Sequence, residues 1–158
     1  MSANSADARA EVRGIVVPVG KESILLPAAA VAEVIGYQKP TPYEGAPPWL
    51  LGAVIWHEQA VPLVSVIVAE EGVEPVQAGQ RARIVVCYTP NGNPKLPYVA
   101  FLAVGPPWLA RFRAETLDPD AQSTSNPFVL HALTFEKIAS WIPRMDAVER
   151  AVLEAVKS

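Results

Sequence analysis

The sequence predicts a mainly β protein of two small lobes, closed as barrels or stacked as a sandwich, with one helix at its C-terminal end. Three observations carry this. Short apolar runs alternate with Gly- and Pro-rich turns along most of the 158 residues, the pattern by which β proteins avoid long exposed strand edges. A faint repeat opens the two halves, Ile15-Val16-Val17 and Ile84-Val85-Val86. In the terminal stretch Met145, Val148, Val152 and Val156 recur at helical spacing.

The elements follow in order. Residues 1–11 are small and polar and are expected to form a disordered tail. A strand is expected over Arg13–Val19, a turn at Gly20-Lys21-Glu22, and a strand over Ser23–Pro27. Ala28–Ile35 can be a short helix or an irregular strand, since alanine favours helix while Val31, Val34 and Ile35 favour extension. Pro40, Pro42, Pro47 and Pro48 make the next segment a rigid, extended connection. The runs Trp49–Trp56 and Ala60–Val68, separated by His57, Glu58 and Gln59, read as an antiparallel hairpin. The polar loop Glu70–Gln80 is the candidate seam between lobes, near 69–82.

The second half is expected to hold strands at Ala82–Tyr88 and Tyr98–Val104, joined by a turn at Asn91-Gly92. Leu109–Leu117 is a strand or short helix, and Phe128–Phe135 is the last strand, with Ile138 as its furthest extent. The helix occupies 143–158, with Pro143 placed to open it and Asp146 and Glu149 near the positive end of its dipole. The domain proper is then 12–142.

Composition narrows the function. Hydrophobic residues make up 51% and charged residues only 18%, which fits a large core or a surface covered by partners. The net charge of −3, with no cluster of Lys and Arg, argues against nucleic acid as the main partner. No apolar run approaches the roughly 20 residues of a membrane span, and the N-terminus lacks a signal-peptide core, so no direct membrane insertion and a cytoplasmic location are expected. The single cysteine, Cys87, lies within the apolar run Ile84–Tyr88 and reads as a buried structural thiol.

Catalytic groups are scarce. His57 and His131 are not matched to Cys or carboxylates at any metal-ligand spacing, and His131 sits within a strand. There is no nucleophile elbow and no phosphate-binding glycine loop. The expectation is therefore no catalytic site, no cofactor and no metal. Of the four tryptophans, Trp49 and Trp108 each lie in a PPWL sequence. The default for any tryptophan is core; Trp56, directly before the polar turn, can instead stand exposed as an interface anchor.

The segments VAEVIGY at 31–37, PPWLLGAVIW at 47–56 and VPLVSV at 61–66 together resemble the CheW-like domain, the adaptor module of bacterial chemosensory arrays. Val31, Glu33 and Val34 match its Val-x-Glu-Val/Ile element. Pro48, Trp49, Leu50 and Gly52 match its Pro-x-Trp/Phe-Leu/Ile-x-Gly strand, and Val61, Pro62, Leu63 and Val64 the strand that closes the hairpin. The resemblance spans roughly 13–142. It implies two SH3-like five-stranded β-barrel lobes packed side by side. It also implies a non-enzymatic adaptor between the cytoplasmic domain of a methyl-accepting chemoreceptor and a CheA-like histidine kinase. The partner-binding residues it implies are Val31, Glu33, Gly52, Trp56, His57 and Glu58.

The chain departs from the family where partners are chosen. The usual Asn-Leu-Arg-Gly turn is Ile55-Trp56-His57-Glu58 here, and the usual Asp of the closing strand is Ser65. In the family that Arg can pair with the Glu matching Glu33, so His57 is expected close to Glu33 on one face. These departures suit an accessory, ChpC-like adaptor of type IV pilus twitching motility. The residues leave open a β-barrel module that binds a peptide or small molecule outside chemosensing. Val64→Asp is expected to unfold the first lobe by burying an unpaired charge.

Overall fold

The structure, a computed structural model, describes residues 11–66, 79–113, 129–135 and 138–156. Ten strands form two five-stranded sheets. The first contains β1 (Glu11–Pro18), β2 (Ser23–Pro27), β8 (Trp108–Arg113), β9 (Val129–Phe135) and β10 (Ile138–Pro143), in the order β8-β1-β2-β10-β9. The second contains β3 (Val31–Gly36), β4 (Leu50–Trp56), β5 (Gln59–Val64), β6 (Arg83–Tyr88) and β7 (Tyr98–Ala103), in the order β3-β6-β7-β5-β4. Helix α1 spans Met145–Val156.

The two sheets share one plan. Each is built on a central antiparallel pair, β1–β2 or β6–β7. An antiparallel strand flanks one side, β8 or β3. On the other side a parallel strand, β10 or β5, brings its own antiparallel neighbour, β9 or β4. Ile15-Val16-Val17 and Ile84-Val85-Val86 therefore hold equivalent places, each in the first strand of a central pair. The repeat in the sequence is a repeat in the architecture.

The sheets are interleaved in sequence. The chain leaves the first sheet after β2, through a 3-10 turn at Ala28–Ala30, and returns to it at β8. The return is pinned by the Val104 N–H, which donates to the Pro18 carbonyl at 2.8 Å. The segment 69–82 is not where the chain changes sheet: β5 and β6, on either side of it, lie in the same sheet. The ambiguity over Ala28–Ile35 resolves into both readings, a short 3-10 turn and then a strand.

Continuous apolar runs mark strands covered on both faces. Val85 and Cys87 of β6 and Val99, Phe101 and Ala103 of β7 enter the main core. There they meet Val17, Ile24 and Leu26 of the first sheet, Leu50 and Val64 of the second, and Val148 and Val152 of α1. Their alternate neighbours Ile84, Val86, Ala100 and Leu102 face an inner core with Val54, Val61 and Leu63. The main core is thus the seam between the sheets, and the helix seals it.

Helix α1 starts at Met145, not Pro143, which ends β10. The Arg144 carbonyl accepts the N–H groups of Ala147 and Val148, each at 3.1 Å. β10 itself was not expected as a separate strand, because no Gly or Pro separates it from β9. The expected tail over residues 1–11 lies outside the described residues except for Glu11, the first residue of β1.

The helix is also tied by hydrogen bonds. Glu149, buried at 4% exposure, accepts the Asn91 backbone N–H at 3.2 Å and the Asn91 side-chain amide at 2.7 Å. Glu149→Ala removes the acceptor of both bonds, and is expected to cost about 2 kcal/mol. Urea denaturation checks this; a loss below about 0.5 kcal/mol would make the tie incidental.

Candidate functional site

The candidate site forms where the second sheet closes on itself. The chain leaving β3 at one edge arrives against β4 at the other. Thr41 and Ala53 exchange backbone hydrogen bonds of 2.9 and 2.8 Å. Gln38 continues the closure with its side chain: its amide donates to the Ile55 carbonyl at 2.8 Å, and its Oε1 accepts the Ile55 N–H at 3.0 Å. A carboxamide carries the same donor and acceptor as a peptide group, so it stands in for a missing strand partner.

This closure brings Glu33 of β3 beside the β4–β5 turn. The Trp56 Nε1–H donates to Glu33 Oε1 at 2.9 Å, and His57 Nε2 lies 3.4 Å from the same oxygen. Glu33 and His57 do lie together on one face, as the sequence comparison implied. Their side chains are 49% and 65% exposed, so solvent weakens the pair and it adds little to stability. The Trp56 N–H bond is the main cause holding the Glu33 carboxyl below its ordinary 4.5, against the opposing effect of desolvation and with help from His57.

A row of rings extends the cluster along the sheet end. Trp56 lies 4.3 Å from His57 and meets Tyr98 edge-on at 4.8 Å, and Tyr98 lies 5.7 Å from Tyr88. Tyr88 is half exposed, as are Val34 and Ile55, the sequence neighbours of Glu33 and Trp56. Tyr88 and Tyr98 are directly paired across β6–β7. They were legible as the symmetric ends of the hairpin around Asn91-Gly92, but nothing local linked them to Trp56.

The turn itself is strained. His57 and Glu58 have φ of 49° and 62°, and Trp56 pairs with Gln59 across it. This is the two-residue hairpin in which both central residues are left-handed, a role suited to Asn-Gly. Neither His nor Glu suits it, at a cost of roughly 1 kcal/mol or more each.

The remaining candidates fall elsewhere. Val31 is half-buried against the main core. Gly52 is buried beneath Thr41. Glu58 is exposed beside His57. Trp56 is half-buried against the inner core and does not stand free. Ser65 is 6% exposed and its N–H donates to the Trp49 carbonyl at 2.8 Å. Cys87 is buried and its thiol is pushed up to about 12. It is therefore not a nucleophile near neutrality. Among the described residues no group of His, Cys, Asp and Glu is arranged to hold a metal ion. No described helix is long and apolar enough to cross a membrane.

Because Glu33 titrates below its ordinary value, the ionised cluster is favoured near neutrality. It is lost as pH falls through that lowered pKa, when the carboxyl gains a proton and the indole N–H loses its anionic acceptor. Fluorescence assigned to Trp56 should therefore change with a midpoint below 4.5, and Glu33→Gln should abolish the change. A midpoint at or above that value would contradict the arrangement.

Two sheets of this plan, each a central pair with one antiparallel and one parallel flank and a helix over the seam, define a two-lobed β protein with an exposed polar and aromatic rim on its second sheet. A family model for the CheW-like domain matches residues 13–102, more than half of the chain, and the chain belongs to the CheW-like domain family. Among solved structures it resembles the scaffolding protein TtCheW from Thermoanaerobacter tengcongensis, with a TM-score of 0.69 at 13% identity, covering 84% of this chain and 83% of that one. At that identity the likeness is one of fold. No curated protein sequence matches significantly.

Proposed function

We propose that this chain is a non-enzymatic adaptor of a bacterial chemosensory complex. It couples the cytoplasmic domain of a methyl-accepting chemoreceptor to a CheA-like histidine kinase and works in the cytoplasm. Family membership supports the class. The observation that carries the site is the strained His57-Glu58 turn, held beside Glu33 and Trp56 on an exposed rim. Val31 and Gly52 serve the same surface indirectly, by setting β3 and β4. Within the family we favour an accessory, ChpC-like role in type IV pilus twitching motility, because an imidazole at 57 cannot supply the planar, permanently charged fork of an arginine.

Trp56→Ala is a poor test, because that side chain also packs against the inner core. The pair His57→Asn with Glu58→Gly separates folding from function. It supplies the residues the turn geometry prefers and is expected to stabilise the fold by about 1 kcal/mol. It should also abolish capture of the receptor domain or kinase that the unaltered chain retains in a pull-down. Full capture by this variant would remove the turn from the interface. Failure of the unaltered chain to capture either partner, with motility unchanged on deletion, would overturn the adaptor reading.

A further inference from the structure

Helix α1 meets the turn between β6 and β7 through Glu149 and Asn91. Glu149, at 4% exposure, accepts the Asn91 side-chain amide at 2.7 Å through Oε2 and the Asn91 backbone N–H at 3.2 Å through Oε1. Asn91 itself is exposed, and so is Gly92, the next residue. Gly92 has a φ of +61°, and nothing stands within 4 Å of where its Cβ would lie. The turn thus combines an asparagine amide, a following residue with no side chain to crowd it, and access to water.

That combination is chemically labile, and asparagine is among the thermolabile residues. The Gly92 nitrogen can attack Asn91 Cγ: a C–N bond forms, the bond from Cγ to Nδ2 breaks, and the Gly92 N–H proton leaves with that nitrogen as ammonia. Water then opens the cyclic imide to an aspartyl or isoaspartyl residue. One water is consumed, one ammonia is released and nothing is oxidised. Ring closure requires the side chain to turn onto its own backbone. While α1 is docked, Glu149 holds both the side-chain amide and the backbone N–H, and so opposes that turn. The helix shares no sheet ladder, so it can open locally while the sheets persist; Val148 and Val152 then leave the main core. Opening frees Asn91. After the reaction an oxygen stands where Nδ2 donated to Glu149. Two carboxyl groups at hydrogen-bonding distance repel unless they hold a proton between them.

We propose that Asn91 is a site of deamidation that locks helix α1 open. The reaction takes place in molecules whose helix has lifted, and its product keeps the helix from docking again, so a reversible opening becomes irreversible. Glu149 both guards the amide and rejects what replaces it. Asn93, two residues on, is an internal control: it is followed by Pro94, whose nitrogen carries no proton to give up.

The test is peptide mass spectrometry of the full chain aged in neutral buffer. The expected result is conversion at Asn91 and none at Asn93, at least about tenfold faster in Glu149→Ala, where the guard is absent. Asn91→Asp supplies the product from the start. It should lower the melting temperature by about 4 °C or more and speed hydrogen exchange at Val148 and Val152. Adding Glu149→Gln to it should restore both, because amide and carboxyl have changed places and the donor is back. An Asn91 that stays intact in the aged protein, equal rates with and without Glu149, or unchanged exchange in Asn91→Asp would overturn the proposal. So would failure of Glu149→Gln to restore docking. If circular dichroism shows that Glu149→Ala has lost its sheets, Asn91→Asp with and without Glu149→Gln decides alone.

Discussion

Gly52→Ala is expected to cost about 3 kcal/mol and to open the closure of the second sheet. Gly52 has a φ of +142°, which side chains rarely adopt. A Cβ there would also collide with backbone: it would press on the carbonyl oxygen of Thr41, lie 2.7 Å from the carbonyl carbon, and sit 3.0 Å from Pro40 Cβ. Thr41 cannot simply retreat, because its N–H and C=O are both spent on Ala53, the next residue along β4. The substitution therefore sets one methyl group against the bridge that joins the sheet's edges. Gln38–Ile55 and Glu33–Trp56 lie on the same closure and should loosen with it. Chemical denaturation gives the cost, and hydrogen exchange at Thr41 and Ala53 gives the place. A loss under about 1 kcal/mol with both amides still protected would show that the strand tolerates a side chain there.

Gly52 shows how far the sequence could be read. Its matching position in the family strand is visible from residues 48–52, but its reason is not, since Thr41 is brought across it only by the closure. The same division runs through the fold. β2, the β4–β5 hairpin, β6 and β7 were legible because apolar runs and turn residues are local signals. Which sheet each strand joins was not, because it depends on the parallel pairings β5–β7 and β2–β10, which connect residues far apart in sequence. Hence the division near 69–82 suggested by a polar loop falls inside one sheet, while the real crossings, at Ala28–Ala30 and at Val104-Gly105-Pro106-Pro107, are short and read only as local breaks between strands. At the site, Glu33 and His57 were paired by comparison with a family. Gln38 carries no local mark of its position, and nothing local links the tyrosine pair to Trp56.

Val64→Asp is expected to abolish the folded state of the whole molecule rather than of one lobe. Val64 is fully buried in the main core, opposite Leu50 on β4 and Phe101 on β7. An aspartate there would be charged without a partner, or protonated with its hydrogen bonds unmade; either costs several kcal/mol. Against a typical stability of about 5–15 kcal/mol, a loss above about 4 leaves little. The sequence alone assigned Val64 to a first lobe and so implied a local failure. The shared core changes that expectation. Val17, Ile24 and Leu26 of the first sheet and Val148 and Val152 of α1 enclose the same volume, so none of them keeps its packing once it is flooded. Circular dichroism should show concerted loss of strand and helix, and hydrogen exchange at Val148, Ile24 and Phe101 should rise together. Persistent protection of Ile24 and Val148 while β4–β7 exchange freely would mean that the two sheets are stable apart, with the helix belonging to the first.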